Sequence, residues 1–132
     1  MAYNSQSKNV IIMEDDSSIS RLLGIVVSRL QFVPYVAENR EDFIGLYRSL
    51  DYFAIILDNQ VPYDHGSNVP RADVGLSLAP QLLKIEPDLR VALHTGDDLK
   101  SRISEFEKIG LVYIRKPSCI KSIEDFLTKT KI

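Results

Sequence analysis

The chain has little cysteine, no long apolar run and no excess of positive charge, and each shortage excludes a class of protein. A single cysteine, Cys119, rules out an internal disulfide. No apolar run reaches membrane-spanning length and residues 1–8 lack a signal-peptide pattern, so we expect no membrane contact and a cytoplasmic location. The net charge of -2 removes the usual electrostatic footprint of a nucleic-acid-binding protein, and we expect no nucleic acid partner.

Length and organisation predict one folded domain. The 132 residues suffice for a domain that buries roughly two-thirds of the surface of its unfolded chain. No linker, internal repeat or low-complexity tract divides the chain, so we expect a single domain over residues 1–132 with a core at about 9–128. The polar residues 1–8 are expected to be frayed. Met1 and the tail ending at Ile132 favour a complete chain.

Hydrophobic periodicity predicts strands that alternate with helices. Mostly apolar runs of strand length occur at 10–13, 32–37, 52–57, 90–94 and 111–115, and those at 10–13 and 52–57 lack the alternation of strands exposed on one face. After each run, apolar residues recur at steps of three and four, which indicates amphipathic helices. Pro34 places the second strand near a sheet edge or at a bulge. The pattern predicts an α/β fold, a doubly wound (βα)5 three-layer sandwich with a five-stranded parallel sheet.

Short polar residues predict where several helices begin. Asn39 followed by Asp42 resembles a capping box with the shorter acid, so the second helix should start there. Asp97 or Asp98 is placed to cap the fourth helix, and Ser118 is placed to cap the fifth.

Polar side chains follow four of the five predicted strands. They are Glu14, Asp15 and Asp16 after the first strand, Asp58 after the third, Thr95 after the fourth and Lys116 after the fifth. The carboxyl ends of parallel strands lie along one edge of a sheet, so these side chains should converge. Carboxylates, a hydroxyl and an ammonium group suit a divalent cation beside a phosphoryl group. The sequence therefore predicts a magnesium and phosphoryl site at this edge.

The same residues lie in four motifs that resemble the CheY-like receiver domains of two-component response regulators. The motifs are IIMEDD at the first strand, AIILDNQVP at the third, ALHTG at the fourth and YIRKP at the fifth. They occur in order within a stretch that runs from about Val10 to Leu127. The resemblance implies a flavodoxin-like fold that accepts a phosphoryl group from a histidine kinase or a histidine phosphotransfer protein.

The resemblance also implies a catalytic role for three residues. Asp58 would be the nucleophile that attacks a phosphohistidine and becomes an acyl phosphate. Lys116 would pair with Asp58 before transfer and with the phosphoryl oxygens afterwards. Thr95 would bond a phosphate oxygen.

A metal site and a switch follow from the same resemblance. Mg²⁺ would be held by Glu14, Asp15, Asp58 and the main-chain carbonyl of Gln60. When Thr95 moves toward the phosphate, Tyr113 would swing inward and change the surface of the last helix-strand-helix unit. A downstream protein target would read that surface.

The chain departs from the receiver pattern in one loop and at His94, and two further positions bear on the phosphate lifetime. Residues 63–74 are expected to form an extended loop that is longer than in most receivers. This loop would be either a lid or kinase contact, or a surface segment without a functional role. Gln60 and Asp97 occupy positions that tune the phosphate lifetime in receivers. His94 stands where receivers usually carry an aliphatic residue.

Three hypotheses about function follow. The first is a stand-alone receiver, a monomer or weak dimer rather than an enzyme, that signals by phosphorylation-dependent protein contacts. The second is a receiver-fold interaction module that is not phosphorylated and binds its partner constitutively. The third is an aspartyl-phosphate phosphatase of similar topology, although those enzymes usually carry a second Asp where this chain has Gln60.

Overall fold

Five strands alternate with five helices in the computed structural model, which describes residues 2–129. Strands β1 to β5 are Asn9–Met13, Val33–Ala37, Ala54–Leu57, Arg90–Thr95 and Leu111–Arg115. Helices α1 to α5 are Ser17–Arg29, Arg40–Ser49, Val74–Ile85, Ile103–Ile109 and Ile120–Thr128. A 3₁₀ turn, Lys100–Arg102, precedes α4. The ends of the predicted domain, residue 1 and residues 130–132, lie outside the described residues.

All five strands are parallel and follow the order β2-β1-β3-β4-β5. The predicted fold class is confirmed as a flavodoxin-like doubly wound sheet. Pro34 lies in β2, at an edge of the sheet as predicted, where a residue without an N–H group is tolerated. Strand order reverses between β1 and β3, and this switch point is where ligands of such sheets bind.

Helices cover both faces of the sheet because successive strand residues point to opposite sides. In β1, Ile11 and Met13 pack into one hydrophobic cluster with residues of α2, α3 and α4. Val10 and Ile12 pack into a second cluster with residues of α1 and α5. All four side chains are fully buried. Each such burial contributes about 2 kcal/mol, and together the two clusters hold the strand ends in place.

The start of α2 agrees with the predicted capping box. Asp42 N–H donates to Asn39 Oδ1 at 2.7 Å, and Asn39 Nδ2 donates to Asp42 Oδ2 at 2.8 Å. The two residues therefore satisfy each other's polar groups at the helix entrance.

The predicted starts of α4 and α5 were wrong. Neither Asp97 nor Asp98 caps α4, which begins at Ile103 after the 3₁₀ turn. Residue Cys119, rather than Ser118, occupies the N-cap position of α5, and no side chain caps that helix. The carboxylate of Asp97 and the hydroxyl of Ser118 contact side chains from other parts of the fold, which a local pattern does not reveal.

The expectation that residues 1–8 are frayed was also wrong over the part that the structure describes. Tyr52 N–H donates to the Ala2 carbonyl at 3.1 Å, and Asn4 N–H donates to the Tyr52 carbonyl at 2.8 Å. Tyr52 is therefore in a bridge to this segment, and β3 begins only at Ala54.

The loop between β3 and α3 covers residues 58–73 and is fastened to neighbouring elements. Val61 and Arg71 form an antiparallel bridge within it. The carbonyl groups of Pro62 and Tyr63 accept hydrogen bonds of 2.9 Å from the first two N–H groups of α2. These bonds hold one side of the loop against α2. Its suggested role as a lid or kinase contact stays a prediction.

Within residues 2–129, no helix combines the length and the apolar character that crossing a membrane requires.

Candidate functional site

Strand register brings the residues that follow β1 and β3 together. Met13 is paired with Leu57, so Glu14 and Asp58 leave the sheet side by side. Asp58 N–H donates to the Met13 carbonyl at 2.9 Å, which extends the pairing by one residue. Lys116 directly follows β5. Its Nζ atom lies 2.8 Å from Glu14 Oε1 and 3.3 Å from Asp58 Oδ1. The structure thus joins three of the predicted site residues in one ion-pair cluster.

Burial raises the free-energy cost of keeping the groups of this cluster charged. Only 1% of Glu14 and 6% of Asp58 is exposed. Burial and then the hydrogen bond with Asp58 raise the pKa of Glu14 to about 7, although Lys116 opposes the rise. Burial opposes the charge of Lys116, but its hydrogen bond to Glu14 and the charge of Asp58 raise its pKa above the ordinary value. One ammonium group is shared between two buried carboxyl groups.

A third carboxyl group, Asp15, completes a set that could hold a metal ion. One oxygen each from Glu14, Asp15 and Asp58 can be chosen so that all three lie within 4.8 Å of one another. Burial, followed by the charge of Asp58, raises the pKa of Asp15. Three carboxyl groups around one lysine leave negative charge uncompensated, and a hard oxygen donor set of this kind fits Mg²⁺.

Two further residues, Gln60 and Asp16, lie next to this cluster in the chain. Gln60 N–H donates to Asp58 Oδ1 at 3.4 Å, so the predicted ligand residue is adjacent to the carboxylates. Asp16 has a different role from these carboxyl groups. Its carboxylate accepts hydrogen bonds from the Ser18 and Ile19 N–H groups at the start of α1. Asp16 is therefore a helix cap.

Thr95 is buried at the end of β4, with its hydroxyl donating to Asp97 Oδ2 at 3.2 Å. The same carboxylate oxygen accepts from Asn59 Nδ2 at 2.7 Å and from Gln60 Nε2 at 3.0 Å. The hydrogen bonds from Asn59 and Gln60 hold the pKa of Asp97 below its ordinary range. Asp97 thereby connects the loop after β3 with the loop after β4.

The ring of Tyr113 lies next to this connection. Its hydroxyl donates to the Asp97 carbonyl at 2.6 Å and accepts from Leu99 N–H at 3.2 Å. The ring also packs against Phe106 with centroids 6.2 Å apart. Tyr113 is therefore bonded to the main chain of the segment that follows Thr95.

Two polar residues near the site, Asn59 and His94, were not among the predicted site residues. Asn59 is fully buried, and besides its bond to Asp97 it donates to Asp73 Oδ1 at 3.0 Å. His94 is 3% exposed, and its Nε2 lies 2.9 Å from Ser118 Oγ. A polar residue inside an otherwise apolar strand was the available signal for His94. Nothing in the local pattern marks Asn59.

Comparisons with known proteins agree with this fold. No protein-family model and no curated protein sequence matches the chain. Many solved structures are similar to it. A signal receiver domain of an HD domain-containing protein from Pseudomonas fluorescens is 18% identical, with 92% of each chain covered and a TM-score of 0.72.

Two further receivers are similar at the same level. The non-phosphorylated HemR receiver domain from Leptospira biflexa is 21% identical, with 94% of this chain and 97% of that chain covered and a TM-score of 0.72. A response regulator from Burkholderia pseudomallei, solved with a phosphorylated aspartic acid, calcium ion and citrate, is 22% identical. There 93% of this chain and 68% of that chain are covered, with a TM-score of 0.71.

The fold is therefore that of response regulator receiver domains, the CheY-like class. On this fold, the carboxyl edge of the sheet carries an acidic cluster, a buried threonine and a half-buried lysine.

Proposed function

We propose that this protein is a phosphoacceptor receiver domain of a two-component or phosphorelay system, phosphorylated on Asp58. The observation that carries the proposal is the buried Asp58 carboxylate, 3.3 Å from Lys116 Nζ and next to Glu14 and Asp15. A nucleophilic carboxylate needs a cation that can accompany the incoming phosphoryl group, and Lys116 supplies one. The receiver fold of the chain supports the proposal.

In the proposed reaction, an Asp58 oxygen attacks the phosphorus of a phosphohistidine on the donor protein. A new O–P bond forms, the P–N bond breaks, and its electron pair returns to the imidazole of the donor. Lys116 then exchanges its contact with Asp58 for the phosphoryl oxygens, whose negative charge it stabilises. Thr95, whose hydroxyl is bonded to Asp97, would release that bond in order to donate to a phosphoryl oxygen.

Glu14, Asp15, Asp58 and the main-chain carbonyl of Gln60 would hold Mg²⁺. The carboxylate oxygens of the first three residues lie close enough to share one ion, and their oxygen chemistry suits this metal. When bound, Mg²⁺ supplies positive charge that neutralises the phosphoryl oxygens during transfer.

The proposed output is a change of surface that a target protein reads. Release of Thr95 from Asp97 would disturb the segment whose carbonyl accepts the Tyr113 hydroxyl, so the ring would lose a bond that now holds it. The partners proposed are a histidine kinase or phosphotransfer protein as donor and a downstream protein as target. We propose a cytoplasmic location, where such donors act.

Two other functions have less support from the site. A phosphatase of similar topology would need a general acid two residues after Asp58, and the amide of Gln60 cannot supply a proton as a carboxylic acid does. A module that binds constitutively would not need a lysine bonded to both Glu14 and Asp58. We therefore propose a signalling domain rather than an enzyme.

The test is intact mass after incubation with acetyl phosphate, comparing the parent protein with Asp58→Asn. We expect the parent to gain one phosphoryl group in the presence of Mg²⁺ and to gain none when the metal is chelated. Asp58→Asn keeps the size of the side chain but lacks the nucleophilic oxygen, so it should gain none. A parent that gains nothing, even in samples quenched within seconds, would support the constitutive binding module instead.

A further inference from the structure

The turn that carries Lys116 is attached to β4 on both sides of a proline. Lys116 N–H donates to the Thr95 carbonyl at 2.8 Å. Pro117 has no N–H group to donate. Beyond it, Ser118 Oγ lies 2.9 Å from His94 Nε2. The residue after Pro117 is thus held to β4 through side chains, by the residue that directly precedes Thr95.

Packing contributes little on the other side of this turn. An open pocket of about 290 Å³, which His94 also lines, lies between the turn and α1. The turn lines the pocket with Lys116, Pro117 and Ser118, and α1 lines it with Ile19, Leu22 and Leu23. Close-packed neighbours would normally restrain such a turn, and an open pocket supplies fewer of those contacts. The hydrogen bond between His94 and Ser118 therefore acts as a restraint beside this pocket.

Burial determines which nitrogen of His94 carries the proton. Nδ1 is buried and has no hydrogen-bond partner. An orphaned N–H group is rarer in protein interiors than an unpaired acceptor, which favours a bare Nδ1 and a protonated Nε2. In that tautomer, His94 Nε2 donates to Ser118 Oγ. The donor and the acceptor are 24 residues apart and join the end of β4 to the entrance of α5.

We infer that His94 is a positioning residue for the proposed reaction: its hydrogen bond to Ser118 holds the turn so that Lys116 Nζ stays between Glu14 and Asp58. Lysine has a long flexible side chain, and its ammonium reaches a fixed point only when the main chain beneath it is fixed. The inference rests on the proposed function in one respect, that Lys116 assists phosphoryl transfer.

The experiment measures the rate of phosphorylation by acetyl phosphate and Mg²⁺ in His94→Leu, Ser118→Ala and the double variant. Leucine fills the buried position without a donor. We expect each single variant to be about tenfold slower, the effect of one lost buried hydrogen bond, and the double variant to be no slower than either. His94→Gln should recover most of the rate, because its amide nitrogen reaches about as far as Nε2. Ser122→Ala is the matched control, since its hydroxyl contacts Cys119 instead, and it should react like the parent.

A second readout does not depend on phosphorylation. Pulsed acetylation followed by peptide mass spectrometry reports how well Lys116 is held, with the exposed Lys121 as internal reference. His94→Leu and Ser118→Ala should acetylate faster at Lys116, and His94→Gln should resemble the parent. Unchanged labelling, or rates that add in the double variant, would overturn the positioning role. A parent that labels as expected but never becomes phosphorylated would overturn the proposed function and leave the positioning role intact.

Discussion

The two histidines of the chain lie in opposite electrostatic environments. His65 is exposed, and its hydrogen bond to Asp42 raises its pKa. Because solvent screens that pair, it contributes little to stability. His94 is buried, and burial together with the charge of Lys116 lowers its pKa to about 4. Of the two residues, His94 therefore has the larger effect on how stability depends on pH.

We predict that acid destabilises the parent protein relative to His94→Gln. The ordinary histidine pKa is 6.5 and the folded value about 4, so between these values the unfolded chain binds a proton that the folded chain does not. Stability linked to His94 is complete above pH 6.5 and is lost as pH falls toward 4. At pH 5 the loss is about 2 kcal/mol.

Urea unfolding of both proteins at pH 7.5 and pH 5 measures this difference. The comparison isolates His94, because Glu14 and the other carboxyl groups titrate in both proteins. An unfolding free-energy difference that is the same at both pH values would contradict the prediction.

At the scale of elements, the position of a helix can depend on one close contact with the sheet. The start of α3 lies against the end of β3, and Gly75 is the residue at that contact. A Cβ atom added to Gly75 would lie 2.4 Å from the Asp58 carbonyl oxygen and 2.8 Å from Leu93 Cδ1. No larger residue fits without moving α3 or the main chain of Asp58.

We predict that Gly75→Ala lowers both stability and phosphorylation. The methyl group must displace main-chain atoms of Asp58, so we expect a loss of about 1–3 kcal/mol in the free energy of unfolding. Gly45→Ala in α2 is the matched control, because its Cβ meets nothing within 4 Å. Alanine is the better helix former, and the control should be more stable by up to about 1 kcal/mol. Urea unfolding and phosphorylation by acetyl phosphate measure the two effects, and equal behaviour of the two variants would refute the role of Gly75.

The end of α5 depends on an arginine from β4. Arg90 Nη1 donates to the Phe126 carbonyl at 3.0 Å, and its guanidinium lies 4.9 Å from the centre of the Phe53 ring. Carbonyl groups in the last turn of a helix have no partner within the helix, so an outside donor stabilises that end.

We predict that Arg90→Ala lowers the free energy of unfolding by about 2 kcal/mol, the sum of a charged hydrogen bond and a cation–π contact. Arg48→Ala is the control, since the Arg48 side chain makes no hydrogen bond or ion pair within residues 2–129. In urea unfolding, Arg90→Ala should lose clearly more free energy of unfolding than Arg48→Ala. If Arg48→Ala lowers the free energy of unfolding as much as Arg90→Ala does, the contact at the end of α5 does not explain the loss.

At the scale of the whole molecule, the parallel sheet gathers charge at one edge. Three of the five strand ends contribute to the same ion-pair cluster, and its carboxyl groups outnumber the ammonium group. The folded chain therefore carries repulsion that a bound cation would relieve, and the unfolded chain does not. Any ligand that binds only the folded state adds to its stability.

We predict that Mg²⁺ raises the melting temperature and that a chelator reverses the rise. At a hundred times the dissociation constant the gain is about 2.7 kcal/mol. Asp15→Asn should lose much of this gain, because it removes one charged ligand. Asp16→Asn should keep it, since asparagine caps a helix as well as aspartate does. An equal Mg²⁺ response in the two variants would contradict the assignment of Asp15 as a ligand.

The sequence by itself determined the fold class, because periodicity, strand length and the polar residues after four of the five strands are local signals. It also located the residues that converge, since parallel strands must end at one edge. The cap at Asn39 was predictable because it depends on a partner three residues away, and the edge position of Pro34 was predictable because proline lacks the N–H group that a central strand needs. The roles of Asp58, Thr95 and Lys116 in phosphorylation stay predictions.

Tertiary structure alone decided where Asp97, Ser118 and the first residues of the chain find their partners. Asp97 bonds to Asn59 and Ser118 bonds to His94, contacts that span 38 and 24 residues. Sequence patterns assigned Asp97 and Ser118 to helix caps because a nearby N–H group is the nearest partner along the chain. In the folded protein, side chains from the loop after β3 and from β4 reach these polar atoms, and burial makes those bonds the stronger ones.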